Sequence, residues 1–484
     1  LGFDAWSSDI KNAFGQSRKT TRKQPIATSL PPGLAEAGFK VDSRQLLLCE
    51  TEVYGLISGP SWLRQSLVID FEKLGYVRNP YDRCLLTLPS NNQSMTCDGI
   101  LLIEVDDILE GGNSRHRKQM ETFYKQYKCG KCKRLKDLGN DGTLISGVRI
   151  SQFKDNSFTW HMNDYIKQTL KPIVVPRGFL SQNKELDEYH IKMVTSCNGQ
   201  LGWLGTNGRP DLAAGRSIIA ANVKFKSSEL ISDCNLCVKQ ANAQSFVIKV
   251  WPIPISELRF VAFCDSSFDP KGERHQQGWL TGFTNKYLNM NRRAPVSVCS
   301  WTSRKLPRKA GSPQLVETFA ASYACADLNW IRCMLYASVY VDFDLMLQRP
   351  VHFKPPSNAP TVLRTDRETI IDPEASLLSD SKGLYDALNN ELPQDDKKSA
   401  LETPIVNEML TRMRGRSRWI EHNKNPSDGL TKLKGAHLKP LIDLITSGHY
   451  HLETEEATLK RRATEKETLG RATRSKTSGR ACGR

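Results

Sequence analysis

Ile-Leu-Leu-Ile-Glu-Val-Asp-Asp-Ile-Leu, residues 100–109, places two adjacent acids between two apolar runs, with Gly111 and Gly112 just beyond. The pattern predicts a β-hairpin presenting Asp106 and Asp107 at its tip. Adjacent carboxylates in so hydrophobic a setting are costly unless a cation neutralises them. Asp395-Asp396 makes the contrast, because it sits among Gln and Lys and reads as a solvated loop. From this segment alone a plain polar turn stays open as the alternative.

Its companions decide the matter. Ser8-Asp9-Ile10-Lys11-Asn12-Ala13-Phe14 and Val53-Tyr54-Gly55-Leu56 precede the hairpin, and Lys136-Asp137-Leu138-Gly139 and Ile145-Ser146-Gly147-Val148-Arg149-Ile150 follow it. In this order the set resembles the reverse transcriptase of copia-type retrotransposons, whose motifs include D-V/I-K-x-A-F, Y-G-L, V-D-D and K-D-L-G. The resemblance implies that Asp9 and Asp106 bind two Mg²⁺ (or Mn²⁺) ions, with Asp107 in the same set. One ion would activate a primer 3′-hydroxyl and the other would hold the incoming deoxynucleoside triphosphate. Phe14 occupies the place of the family's nucleotide sugar gate, the aromatic ring that excludes a ribose 2′-hydroxyl. Arg209-Pro210-Asp211-Leu212 resembles a motif of the following thumb-side segment, although packing is the simpler reading for most of those helices. Two positions depart from the family pattern: Glu104 stands where an aromatic residue usually precedes V-D-D, and Gly15 where a Leu usually follows the Phe.

A second set of acids lies further along. Asp265 ends an apolar run in Phe-Val-Ala-Phe-Cys-Asp, and Glu317 falls in the second turn of a helix expected from Pro313 to Tyr336, with Ser312 as N-cap. Asp380 ends the strand-like Ala375–Ser379, and Asp428 opens a helical turn in Asn-Pro-Ser-Asp-Gly-Leu-Thr-Lys. Strand runs at Leu258–Cys264, Trp279–Thr284, Val296–Trp301 and near Arg418–His422, with a last helix around Ala436–Ser447, describe an α/β sandwich. Four acids at strand ends and helix starts can converge on one point, and divalent ions are the natural reason for such convergence. The arrangement resembles the RNase H domain that follows reverse transcriptase in the same elements. It implies hydrolysis of the RNA strand of an RNA–DNA hybrid, again with two Mg²⁺ or Mn²⁺ ions. His422 reads as the end of a strand.

Composition agrees with a nucleic-acid partner. The net charge is +16, from 68 Lys+Arg against 52 Asp+Glu, which favours a polyanion. A hydrophobic fraction of 39% and 25% charged residues describe ordinary globular domains. No apolar run approaches the roughly 18 residues of a membrane span. Thirteen cysteines without a secretory signal fit reduced thiols. The expected setting is therefore intracellular, cytoplasmic or nuclear, and not secreted. The pairs Cys129/Cys132 and Cys234/Cys237 have no histidines beside them and read as incidental.

The expected fold class is α/β (α+β): a reverse-transcriptase palm over 1–155 with its fingers largely missing, and a mostly helical thumb or connection over 156–250. An RNase H-like sandwich over 251–452 and a basic, disordered tail over 453–484 would follow. The proline-rich stretch from Arg349 to Asp372 reads as an inserted loop. The implied partners are an RNA template, a DNA primer, an RNA–DNA hybrid, deoxynucleoside triphosphates and other parts of a polyprotein. Two alternatives stay open: a chain that retains only hybrid hydrolysis, and a relic that only binds nucleic acid through its charge.

Overall fold

The computed structural model describes residues 1–484 apart from 32, 35, 41, 43, 92–95, 183–184, 270–274, 353–372, 390–395, 434 and 462–484. Asp395, most of the expected inserted loop and the distal basic tail therefore lie outside the described residues.

The segment around the first acids forms a six-stranded sheet in the order Val77–Arg78, Leu85–Pro89, Cys97–Glu104, Asp107–Gly112, Asp4–Asp9, Lys133–Arg134. Its hairpin closes at the pair Glu104↔Asp107, so Val105 and Asp106 form a two-residue tip. Val105 adopts φ 56 there, in the left-handed region where a β-branched residue is strained. The strand Asp4–Asp9 runs antiparallel beside the hairpin and sets Asp9 opposite Asp107. Alternation along these strands sends Leu101, Ile103 and Ile108 into a core against the helix Gly59–Lys73, which contributes Leu63, Leu67, Val68 and Phe71. That helix stops where Gly75 takes φ +91. Phe71 stacks on Phe123 of the helix Ser114–Gln126 at 4.4 Å between centroids, which closes the layer from the other end.

The hairpin Val148–Gln152 with Phe158–His161 pairs on one side with Thr143–Ile145 and on the other with Ile248–Val250. Between its last two strands the chain makes the helices Asn163–Thr169, Glu188–Asn207, Ala213–Asn222 and Glu229–Ala243. The last of these is a helix where the sequence pattern looks weak. Leu230, Ile231, Cys234, Cys237, Val238 and Ala241 form its buried face, so the second CxxC pair is core packing. Arg209 and Asp211 are fully buried and doubly bonded, Nε to Oδ1 and Nη2 to Oδ2 at 2.8 Å each. Arg209 Nη1 also donates to the Ala241 carbonyl at 2.8 Å. This part of the thumb-side motif thus joins two helices.

The third body is a five-stranded sheet ordered Ser297–Lys305, Gln276–Asn285, Leu258–Ser267, Ala375–Ser379, Gly415–Trp419. The first three strands are antiparallel and the last two join in parallel. The long helix Pro313–Val339, capped by the Ser312 hydroxyl accepting from Leu315 N–H, covers one face together with Lys397–Arg412. On the other face lie Leu441, Leu444 and Ile445 of the helix Lys439–Ser447, and Ala213 from the middle segment. The middle helices are bonded to this sheet: Trp301 Nε1 donates to Gly205 O at 2.6 Å, and buried Gln276 donates to Ser217 and Ser303 at 2.8 Å.

Two boundaries differ from expectation. The strand expected near Arg418–His422 ends at Trp419, because His422 enters a short 3-10 turn. Residues 453–461, assigned to a disordered tail, pack back instead. Glu455 pairs with Arg418, and Glu453 pairs with Lys424 and Arg461. Among the described residues no helix is long and apolar enough to cross a membrane.

Candidate active site

The nuclease-type acids come from four elements. Asp265 lies near the end of the central strand and Glu317 in the second turn of the long helix. Asp380 follows the strand Ala375–Ser379, which is parallel to the central strand, and Asp428 sits in the turn Pro426–Leu430. Asp265 and Asp428 are 3% and 2% exposed, so these carboxylates are inside the protein. Burial holds the Asp265 carboxyl well above the ordinary carboxylate range; Asp380 and Asp428 add to that, while the Thr431 hydroxyl and Lys432 oppose it. Glu317 is raised in the same way, by burial first and then by Asp265 and Asp380, against hydrogen bonds from Ser266. Asp265 feels the charge of Asp380 and Asp428, and Glu317 that of Asp265 and Asp380, so the four share one electrostatic neighbourhood, although among the described residues no three of these carboxylates lie within ligand distance of one another.

Several residues fix this cluster that sequence reasoning passed over. Fully buried Asn425 donates from Nδ2 to the Cys264 carbonyl and to Asp380 Oδ1, both at 3.0 Å. It thereby locks Asp380 to the residue before Asp265. Thr431 Oγ1 donates to Asp265 Oδ2, and Lys432 pairs with Asp428 Oδ1. His422, read as a strand end, has Nδ1 at 2.6 Å from Asp380 Oδ2, and His437 Nδ1 lies 2.7 Å from Asp428 Oδ2. The available signal was position: Asn425, Thr431 and Lys432 all lie within four residues of Asp428.

The acids fit divalent cations on an observation beyond their number. Glu317 Oε2 is buried and has no hydrogen-bond partner, although it faces a centre already crowded with negative charge. An unsatisfied carboxylate oxygen in that position is costly unless a cation fills it.

The acids of the first set lie on adjoining strands. Asp9 and Asp107 are directly opposed across the sheet, and Ile10 N–H donates to the Asp106 carbonyl at 2.8 Å. Burial pushes the Asp107 carboxyl up to about 6, with Asp106, then Asp9, then Glu104 adding their charge. Gly130 closes over Asp9: a Cβ there would meet Asp9 Oδ1 at 2.1 Å, and Gly130 N–H donates to the Asp9 carbonyl at 2.7 Å. Phe14 is 6% exposed and packs edge-on to Tyr54 at 4.7 Å, in the core beside the helix Gly59–Lys73.

No family model matches the sequence, and no curated protein matches it. Among solved structures the chain is similar to RNase H1 from the halophilic archaeon Halobacterium salinarum, at 12% identity and a TM-score of 0.22, covering 35% of this chain and 90% of that one. It is also similar to the N-terminal RNase H domain of a Mycobacterium tuberculosis protein solved as a fusion with maltose-binding protein, at 10% identity and a TM-score of 0.22, covering 40% of this chain and 96% of that one.

Proposed function

We propose that this chain is the reverse transcriptase and RNase H portion of a copia-type retrotransposon polyprotein, and that its nuclease centre hydrolyses the RNA strand of RNA–DNA hybrids. The observation that carries the reading is the convergence of Asp265, Glu317, Asp380 and Asp428, with a buried Glu317 oxygen left unsatisfied among them. Those four residues would hold Mg²⁺ or Mn²⁺, which supplies neutralisation of the crowded acids and Lewis acidity at a phosphodiester. The chain's own residues do the positioning. Asn425 fixes Asp380 relative to the central strand, Thr431 orients Asp265, and Lys432 offsets the charge of Asp428. The net charge of +16 draws the polyanionic substrate in.

For the polymerase, the support is the motif order together with the opposition of Asp9 and Asp107 beside Asp106. These three would hold the ions for nucleotidyl transfer to a DNA primer on an RNA template. A second reading, hybrid hydrolysis without polymerisation, is favoured by Glu104, which adds a further negative charge at Asp107 where the family places an aromatic ring.

The test is incubation of the full chain with a labelled RNA–DNA hybrid, with and without Mg²⁺ or Mn²⁺, beside Asp265→Asn. Metal-dependent cutting of the RNA strand that the variant lacks is the expected result. A folded wild-type chain that leaves the hybrid intact with both metals would sink the proposal.

A further inference from the structure

The histidines beside the nuclease acids have a geometry that positioning alone does not account for. His422 Nε2, His437 Nδ1 and Asp428 Oδ2 form the one group of three or more potential metal-ligand side chains found among the described residues, all ligand atoms lying within 4.8 Å of one another. Asp428 divides its two oxygens: Oδ1 faces Lys432, while Oδ2 faces both imidazoles.

A second observation points to a ligand. His422 Nδ1 lies 2.6 Å from Asp380 Oδ2, which orients the ring so that Nε2 faces Asp428 Oδ2, 3.5 Å away. A carboxylate holding one imidazole nitrogen while the other faces outward is the arrangement by which metal-bound histidines are oriented. The separation suits it as well, since ligands at bond lengths of ~2.1 Å around a tetrahedral ion sit roughly 3.4 Å apart. The 2.7 Å between His437 Nδ1 and Asp428 Oδ2 has to open by less than about 1 Å to match. Ions can enter from solvent, because the His422 and His437 side chains are 52% and 34% exposed. His437 is carried there by the turn at Gly435, whose φ of +105 favours glycine.

We propose that His422, His437 and Asp428 form a site for a borderline divalent transition ion such as Zn²⁺, distinct from the all-carboxylate centre but sharing Asp428 with it. Two imidazoles and one carboxylate select Zn²⁺ over Mg²⁺, whereas the carboxylates of Asp265, Glu317 and Asp380 select the harder ion. Because Asp428 serves both, Zn²⁺ at this site displaces Mg²⁺ from the nuclease centre and arrests it. The second half of the inference rests on the nuclease reading; the first half does not.

The test separates the two. The full chain, freed of metal, is titrated with Co²⁺ by visible absorption and with Zn²⁺ by calorimetry, alongside His422→Ala, His437→Ala and His437→Gln. The expected result is one Co²⁺ bound without a thiolate charge-transfer band, with affinity lowered more than about tenfold in each alanine variant, a larger loss than outer-partner changes typically begin at. His437→Gln, which keeps a hydrogen-bond donor for Asp428, is expected to bind as weakly as His437→Ala, because an amide is a poor Zn²⁺ ligand. Unchanged affinity in variants with wild-type melting temperatures, or a thiolate band marking a cysteine site, overturns the proposal. In the hybrid-cutting assay, inhibition by Zn²⁺ that excess Mg²⁺ relieves supports the competition. Zn²⁺ that binds without inhibiting an active chain overturns the competition. A chain that binds Co²⁺ as described but never cuts the hybrid leaves the ion site standing and removes the nuclease reading instead.

Discussion

The two carboxylate clusters are built from the same residue types and held in opposite ways. In the palm-like sheet the acids ride on a hairpin tip and its neighbouring strand, half open to solvent, and their main partners are one another. In the sandwich they are deep, they come from two parallel-paired strands, a long helix and a turn, and Asn425, Thr431, Lys432, His422 and His437 each hold one of them. Mutual repulsion is the same problem in both places. The first sheet meets it by exposure, and the sandwich meets it by supplying donors. A site held by donors keeps its geometry without metal, whereas a site held by exposure is organised mainly when ions arrive.

The two centres are expected to act independently of each other. Asp265→Asn is expected to lower RNA cutting by ~10³-fold or more, equivalent to about 4 kcal/mol at the barrier, and to leave primer extension on an RNA template unchanged. Asp106→Asn is expected to do the reverse. Gel assays of both reactions on both variants decide it, and a variant that loses both activities while staying folded would mean that the centres are coupled.

A smaller effect probes the donors. Asn425 is fully buried and bonds the Cys264 carbonyl and Asp380 at once. Asn425→Ala is expected to destabilise the metal-free chain by about 1–3 kcal/mol, since both acceptors are left without their donor. Chemical denaturation measures this, and part of the loss is expected to return with Mg²⁺. Among the described contacts at Asp107 the first sheet offers no equivalent residue, so no single donor deletion there is expected to act as strongly.

How much of this was readable in the sequence follows the same division. Three of the acids announce themselves because they end apolar runs: Asp265 after Phe-Val-Ala-Phe-Cys, Asp380 after Ser-Leu-Leu-Ser, Asp106 after Ile-Leu-Leu-Ile-Glu-Val. The long helix was legible from its Ser312-Pro313 start, whose cap the structure contains. What was not legible depends on contacts between distant segments. Asn425 meets Cys264 across 161 residues of chain and Asp380 across 45. Nothing local distinguishes it from any loop asparagine. The helix Glu229–Ala243 lies in a segment expected to be mostly helical, but its own period is hard to read because two of its buried positions are cysteines. The strand Ile248–Val250 was missed because it gains its partner, Phe158–His161, only through the sheet.

pH separates the two clusters without touching activity. Burial pushes the Asp107 carboxyl up to about 6 in the folded chain, against 3.8 for a free carboxyl. A folded-state value above the unfolded one means that its contribution to stability is complete below about pH 4 and lost as pH rises through 6. Asp107→Asn removes the titrating group. The stability difference between variant and wild type is therefore expected to grow in the variant's favour from pH 4 to 6 and then level off. Burial and the charges of Asp265 and Asp380 hold Glu317 well above its ordinary value, so the corresponding difference for Glu317→Gln is likewise expected to grow in the variant's favour as pH rises beyond the ordinary carboxylate range. Metal-free urea denaturation across pH 4–8 reads both. Curves that level off at the same pH would show that the two clusters are equally solvated.

The smallest expected effect lies at the hairpin tip. Val105 takes φ 56 between Glu104 and Asp106, a conformation that a β-branched side chain resists and glycine accepts. Left-handed backbone costs roughly 1–2 kcal/mol for such a residue, while glycine adds unfolded-state entropy worth about 0.5–1 kcal/mol. Val105→Gly is thus expected to stabilise the chain by less than about 1 kcal/mol, as a rise in the denaturation midpoint with an unchanged slope. The valine also packs partly against the palm core, and losing that contact trims the gain. If the variant is instead destabilised, the packing of Val105 outweighs its backbone strain. The tip that presents Asp106 would then be held by its side chain, and the polymerase-type cluster would be more like the nuclease-type one than its exposure suggests.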